Sequence, residues 1–174
     1  MALSLYDITV PNYLQTLGAV MQVLAKGAAH AEARGSSPDE LLTLRLTDDM
    51  APLTFQIVSV WHHSLGAMRS LESGLFQPPP KVDCEGWAGY NTLIHEAIEE
   101  ISAKTPDAVN ALSGKPMKFK AGETELPFLT DDFVQTFSQQ NFFFHATTLY
   151  DLLRMDGVKL SKMDYLGALR FNQE

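Results

Sequence analysis

Long stretches of apolar residues spaced three and four apart constrain this chain more than any other feature. The first stretch has one apolar face, formed by Leu14, Leu17, Met21 and Leu24. Such spacing is typical of a helix that packs against other helices. Helix-breaking residues separate the stretches at Gly35, at Pro78 to Pro80 and at Gly157. The pattern predicts four long helices, at about residues 11–34, 50–73, 85–104 and 130–155.

One stretch between the third and fourth predicted helices has strand-like alternation instead. Apolar and polar residues alternate on both sides of a loop that contains Gly122, which predicts a small β-hairpin near residues 117–128. Ser37 and Pro38 predict the start of a short extra helix, and Thr130 is the predicted N-cap of the fourth long helix. We therefore expect residues 1–174 to form one all-α domain, an up-and-down four-helix bundle with the hairpin between its third and fourth helices.

The charge of the chain bears on its partners. Acidic residues outnumber basic ones, the formal net charge is −8, and Lys and Arg are not clustered. Binding to nucleic acid or to an anionic membrane is not expected, because both require several neighbouring cations. No window approaches the roughly 20 apolar residues of a membrane span, and residues 1–10 lack the pattern of a signal peptide. The sequence thus predicts a soluble, cytoplasmic protein.

Two predicted helix faces carry polar residues at helical spacing. On the second helix these are Gln56, Ser59 and His63, and on the fourth they are Ser138, Asn141, His145 and Thr148. Residues four apart share a helix face, so the side chains of Asn141 and His145 converge. If the two faces oppose each other, they form a polar pocket between helices, where bundles commonly build their binding sites.

A simpler interpretation stays open for each of these residues. A histidine within an apolar helix is often a core residue bonded to a carbonyl or a water, and this applies to His63 and His145. His62, His30 and His95 are expected to be surface or packing residues. The single cysteine, Cys84, has no basic neighbour that would lower its pKa, and we expect an incidental thiol.

Several blocks of sequence carry a resemblance to a known superfamily. The first reads Ser-Leu-Tyr-Asp-Ile-Thr-Val-Pro, another reads Asn-Phe-Phe-Phe-His-Ala-Thr-Thr, and the blocks lie at residues 4–11, 27–33, 44–53, 141–148 and 157–167. Together they resemble an uncharacterised branch of the DinB/YfiT-like bundle superfamily over nearly the whole chain. The resemblance implies a four-helix bundle of the DinB type, which is often dimeric, so a homodimer is an expected assembly.

The resemblance also implies a metal site. Better-known members bind a divalent metal through one histidine on the second helix and a His-x-x-x-His pair on the fourth. In this chain His63 matches the first ligand and His145 the last, but Asn141 stands where the middle histidine is expected. A neutral amide is a poor replacement for imidazole at zinc or nickel. The resemblance therefore implies at most a weakly held ion at His63, Asn141 and His145.

Three functions remain open at this point. In the first, the bundle binds a small molecule without catalysis, in a pocket that includes Gln56, Ser59, Asn141 and Thr148. In the second, the weakened metal site catalyses thiol transfer, isomerisation or hydrolysis. In the third, His63 or His145 acts without metal as the general acid or base of an isomerase or lyase, and Asn141 holds a developing negative charge. In this third case the substrate is expected to be a small, partly apolar molecule.

Overall fold

The computed structural model describes residues 3–172, and most of them are helical. Helix α1 spans Leu5–Ala33. It begins at a capping box, in which the Asp7 N–H donates to the Ser4 hydroxyl and the Asp7 carboxylate accepts from the Ser4 N–H. The predicted start at residue 11 was wrong, because Pro11 lies inside the helix. Gly35, with a φ of 76°, follows the end of α1 as predicted.

The second long helical segment covers residues 53–73 and changes its winding in the middle. Helix α2 spans Leu53–Trp61, a π-helical turn spans His62–Gly66, and α3 spans Ala67–Ser73. Gly74 terminates α3 in the left-handed conformation that glycine adopts most readily. A π turn inserts one extra residue, so the side chains that follow it point in directions that regular α-helical spacing does not give.

The last two long segments lie on either side of the two strands formed by residues 116–129. Helix α4 spans Gly86–Ser102, and the short α5 spans Pro106–Asn110. The fourth segment begins with α6 at Thr130–Asp132, passes through a π-helical turn at Phe133–Ser138, and continues as α7 over Gln139–Met155.

Thr130 is not the N-cap of this fourth segment. The N-cap is Leu129. The hydroxyl of Thr130 donates to the carbonyl of Leu112 at 2.8 Å, and so it ties the start of the segment to the chain before the strands. Pro38–Thr43 forms a 3₁₀ helix capped by Ser37, where the short extra helix was predicted.

The long helices pack side by side around one core. Helix α1 contacts α4 and α7, and α2 contacts both α7 and α4. Large side chains without solvent exposure fill the centre, among them Tyr13, Phe133 and Phe142. The C-terminal helix α8, at Lys162–Leu166, lies against α1. Among residues 3–172, no helix is both long and apolar enough to cross a membrane.

A small sheet accompanies the helices, so the chain is mostly rather than entirely helical. Strand β2 at Pro116–Ala121 pairs antiparallel with β3 at Thr124–Leu129. A third strand, β1 at Leu75–Phe76, pairs parallel with β2 and was not predicted. The register sets Phe76 opposite Phe119, and this pairing brings both aromatic rings to the end of the helices that carries the polar faces.

Candidate functional site

The polar faces predicted on the second and fourth helices meet in the structure. His63, in the first π turn, and His145, in α7, have ring centroids 6.0 Å apart and ring planes inclined by 17°. Together with Ser59 and Asn141, both histidines line a cavity of about 230 Å³. The structure thus brings four of the sequence-predicted site residues to one place.

Apolar side chains and His62 form the rest of the cavity wall. The apolar ones come from α2, from β1 and the linker after it, from β2 and from the second π turn, and they are Phe55, Phe76, Pro78, Pro79, Phe119 and Phe137. Sequence analysis missed these residues. Phe137 precedes Asn141 by four positions, a spacing that could have identified it. Phe76 and the prolines reach the cavity through strand pairing and linker docking, which no local pattern reveals.

Two predicted pocket residues do not line the cavity. Thr148 is buried, and its hydroxyl donates to the carbonyl of Phe144 in its own helix at 2.8 Å. Its prediction as a pocket residue is therefore corrected. Gln56 is also buried, but it lies beside His145, with 2.7 Å between Gln56 Oε1 and His145 Nδ1.

The contact with Gln56 determines which nitrogen of His145 carries the proton. Gln56 Nε2 donates to the carbonyl of Ala51 at 3.1 Å, so the amide oxygen is the atom that faces the imidazole. An oxygen acceptor requires a donor, which places the proton of the neutral ring on Nδ1. The lone pair of His145 Nε2 is then available to a ligand.

Burial keeps both histidines of the pair uncharged. It lowers the pKa of His63 to about 3, to which the nearby rings of His62 and His145 also contribute. Burial alone lowers the pKa of His145 to about 4. Among the described residues, His63 Nδ1 is buried without a hydrogen-bond partner. At neutral pH the site therefore presents two neutral imidazoles.

A buried chain of hydrogen bonds holds the π turn of His63 from behind the cavity. Ser138 Oγ donates to the His63 carbonyl at 2.7 Å. Because the single proton of Ser138 is used in that bond, the Tyr13 hydroxyl, 3.1 Å away, donates to Ser138. Both side chains lack solvent exposure. These hydrogen bonds thus link α1 to the second and fourth helical segments. His63 and Ser138 both lie in π turns, which are common near functional sites.

His62 is buried, lines the same cavity and anchors the linker that carries Pro78 and Pro79. Its Nε2 lies 2.7 Å from the carbonyl of Gln77, and its ring stacks on Phe76 with 4.4 Å between centroids. Gly66 makes room for this ring, since a Cβ there would lie 2.6 Å from His62 Nδ1.

The donor set does not fit the metal centre that the resemblance implies. A catalytic zinc site uses three protein ligands, drawn from His, Cys, Asp and Glu. Within residues 3–172, no group of three or more such side chains is placed to hold a metal ion. Asn141 supplies only a neutral amide, whose Nδ2 donates to the carbonyl of Phe137 at 2.8 Å.

Cys84 lies apart from this cavity. It lines a surface groove of about 490 Å³ with Asp83 and Glu85. Burial and the neighbouring Asp83 raise the pKa of its thiol. A raised pKa reduces the thiolate fraction at neutral pH, in keeping with an unreactive cysteine.

Comparison with known proteins places the chain in a family. Residues 5–166 match the family described as "Domain of unknown function (DUF1993)". The chain belongs to this family. None of the curated proteins matches it.

The fold is similar to a crystal structure of a DinB family member protein from Shewanella denitrificans. The TM-score is 0.81 at 24% sequence identity, over 98% of this chain and 96% of that one. The match confirms that the chain contains a domain of unknown function, and the structural likeness confirms the expected DinB-like fold. At this identity the likeness shows the fold alone.

Replacing Ser138 by alanine should destabilise the protein. The substitution leaves the His63 carbonyl and the Tyr13 hydroxyl buried without their shared partner. Unpaired buried groups of this kind cost about 1–3 kcal/mol each, and urea denaturation measures the loss. Ser102→Ala is the control, because Ser102 is exposed and its loss should change the free energy of unfolding by less than about 0.5 kcal/mol. Equal stability of the two variants would contradict the structural role of Ser138.

The free energy of unfolding should fall as the pH is lowered from 7 to 5. The unfolded histidines take up protons near their ordinary pKa of 6.5, whereas folded His63 and His145, with pKa values of about 3 and 4, stay neutral. The unfolded state then binds more protons, so stability rises with pH, by up to about 2 kcal/mol per histidine over this interval. Denaturation at several pH values measures the slope. His63→Gln should reduce it, and a flat profile would exclude neutral buried imidazoles.

Proposed function

We propose that this protein binds a small, largely apolar molecule, about one ring in size, in the cavity between its second and fourth long helical segments. The observation that carries this proposal is the cavity lining, in which aromatic and proline side chains surround His63, Asn141 and His145. Apolar walls with a few convergent polar groups are typical of small-molecule sites. The volume of about 230 Å³ exceeds the roughly 150 Å³ of an apolar cavity that holds benzene.

The electrostatics favour binding over catalysis. A general base works best when its pKa lies near the working pH. Because the pKa values of His63 and His145 are about 3 and 4, both imidazoles are weak bases at neutral pH. They are suited to hydrogen-bond a ligand and to fix its orientation.

Metal-free acid–base catalysis is the second candidate, and one contact favours it. The bond between Gln56 and His145 fixes a single tautomer and leaves Nε2 free. A base held by an orienting partner is the arrangement found in many enzymes that transfer protons. In this role His145 Nε2 takes a proton from the substrate, and the second N–H of the Asn141 amide donates to the oxygen on which negative charge develops.

Metal-dependent thiol transfer, isomerisation or hydrolysis has less support than either alternative. His63 and His145 are neutral, as metal ligands must be. They provide two nitrogen ligands where a catalytic zinc site needs a third. The neutral amide of Asn141 does not make up the difference.

Single-ring molecules should bind at this cavity. Toluene and p-cresol, titrated into labelled protein, should shift the NMR signals of His63, His145 and Phe119, which line it. Ser59→Leu should weaken binding at least about tenfold, because the larger side chain occupies ligand volume, at a cost of about 1.4 kcal/mol or more. Thr92→Leu is the control, since Thr92 lines the separate groove beside Cys84. Unchanged affinity in Ser59→Leu would place the ligand elsewhere.

Asn141→His should create the metal site that the natural chain lacks. The change adds a third imidazole one helical turn before His145, and Asn and His have similar helix propensities. Zinc should then raise the melting temperature far more in Asn141→His than in the natural protein, since binding at one hundred times Kd stabilises by about 2.7 kcal/mol. The double variant Asn141→His/His145→Ala is the control and should lose the gain. A large zinc response in the natural protein would contradict our view of its donor set.

A further inference from the structure

We infer that the ligand of this cavity is an uncharged ring that donates a hydrogen bond, a phenol-type hydroxyl being the best match. The inference rests on the proposed binding function and names the chemical class of the ligand. It follows from the absence of charge around the cavity and from the hydrogen-bonding groups that its polar side chains leave free.

The cavity offers no counter-charge to an ion. None of the described side chains that line it is Asp, Glu, Lys or Arg. Its three histidines, His62, His63 and His145, all have pKa values lowered chiefly by burial, so they are neutral at pH 7. A carboxylate or an ammonium group would lose its hydration on entry without gaining an opposite charge. The site therefore selects against charged ligands.

The polar groups that remain free include two acceptors. His145 Nδ1 donates to Gln56, which leaves the Nε2 lone pair. Asn141 Nδ2 donates to the carbonyl of Phe137, which leaves Oδ1. His62 contributes no such group, because its Nε2 is bonded to the Gln77 carbonyl and its Nδ1 faces Gly66. A ligand that satisfies these acceptors must bring a proton of its own.

His63 narrows the choice among donor-bearing ligands. Its Nδ1 is buried and has no partner among the described residues. An unpaired buried N–H costs more free energy than an unpaired acceptor. His63 avoids this cost when its proton is on Nε2, because Nδ1 is then only an acceptor. The Nε2–H of the neutral ring can then donate to a ligand. A hydroxyl both accepts and donates, so one oxygen can satisfy His63 and an acceptor across the cavity.

Aromatic side chains make up much of the cavity wall. Phe55 meets His145 edge to face with 5.6 Å between centroids, and Phe137 lies 6.0 Å from the ring of His63. Phe119 packs on Phe137 at 5.0 Å. Aromatic rings prefer offset and edge-to-face neighbours at such distances. A phenol keeps its proton at neutral pH, since its pKa is near 10, and it therefore meets both requirements.

A matched ligand series tests the inference. The ligands are p-cresol, toluene, 4-methylanisole and benzoate, titrated by calorimetry and by NMR at pH 7.5. Toluene lacks the donor, 4-methylanisole keeps the oxygen without its proton, and benzoate carries a charge. We expect p-cresol to bind about five- to tenfold more tightly than the other three, the gain typical of one hydrogen bond.

Variants at His145 and Gln56 test whether the preference for p-cresol over toluene arises in this cavity. His145→Phe removes Nε2 but keeps an aromatic ring, so the ratio of p-cresol to toluene affinity should approach one while toluene still binds. Gln56→Leu removes the bond that fixes the proton of His145 on Nδ1. The ring can then adopt either tautomer, so the affinity ratio should fall in part. His95→Phe is the matched control at an exposed histidine and should leave the ratio unchanged.

The possible failures separate the two proposals. Equal binding of p-cresol and toluene at the cavity would overturn the inference and leave the binding function standing. Tighter binding of benzoate than of p-cresol would contradict the inference that the ligand is uncharged. If none of the four ligands perturbs the signals of His63, His145 or Phe119, the binding function and the inference both fail.

Discussion

The contact between the second and fourth helical segments is the interaction on which the rest of the site depends. It is held by the bond from Ser138 to the carbonyl of His63, and the bond from Tyr13 to Ser138 extends this link to α1. Both segments depart from regular α-helix here, with π turns at His62–Gly66 and Phe133–Ser138. A π turn changes the backbone hydrogen bonding of a helix, and Ser138 supplies the His63 carbonyl with a partner from another element. The side chain of His63 can then face the cavity while its backbone stays fixed.

The chemical character of the site follows from placing histidines among aromatic rings. Desolvation disfavours the protonated form, so the imidazoles lose the charge that histidine often carries in catalysis. Each then depends on specific partners for its orientation. His145 has Gln56, and His62 has the carbonyl of Gln77, whereas His63 Nδ1 has no partner within the described residues. This incomplete set of hydrogen bonds is what a ligand can complete.

Asn141 stands where the resemblance to DinB-like bundles implies a histidine ligand. An imidazole at position 141 would converge with His63 and His145, but the asparagine turns its amide nitrogen to the Phe137 carbonyl. The two neutral imidazoles that remain are one ligand short of the three that a catalytic zinc site uses. Membership of the DUF1993 family and the DinB fold are compatible with either use, because a fold does not determine the chemistry of its site.

The sequence by itself determined the features that depend on local spacing. Apolar periodicity predicted the long helical segments, and Gly35 and Gly157, both with positive φ, marked the ends of the first and the fourth. The four-residue spacing of Asn141 and His145 predicted one polar face. The Ser4–Asp7 capping box was not predicted, because the predicted helix began at residue 11. Tertiary structure alone decided the π turns, strand β1 and the wall built by Phe76 and Pro78. These features arise from contacts between residues far apart in the chain, whose energies no local pattern contains.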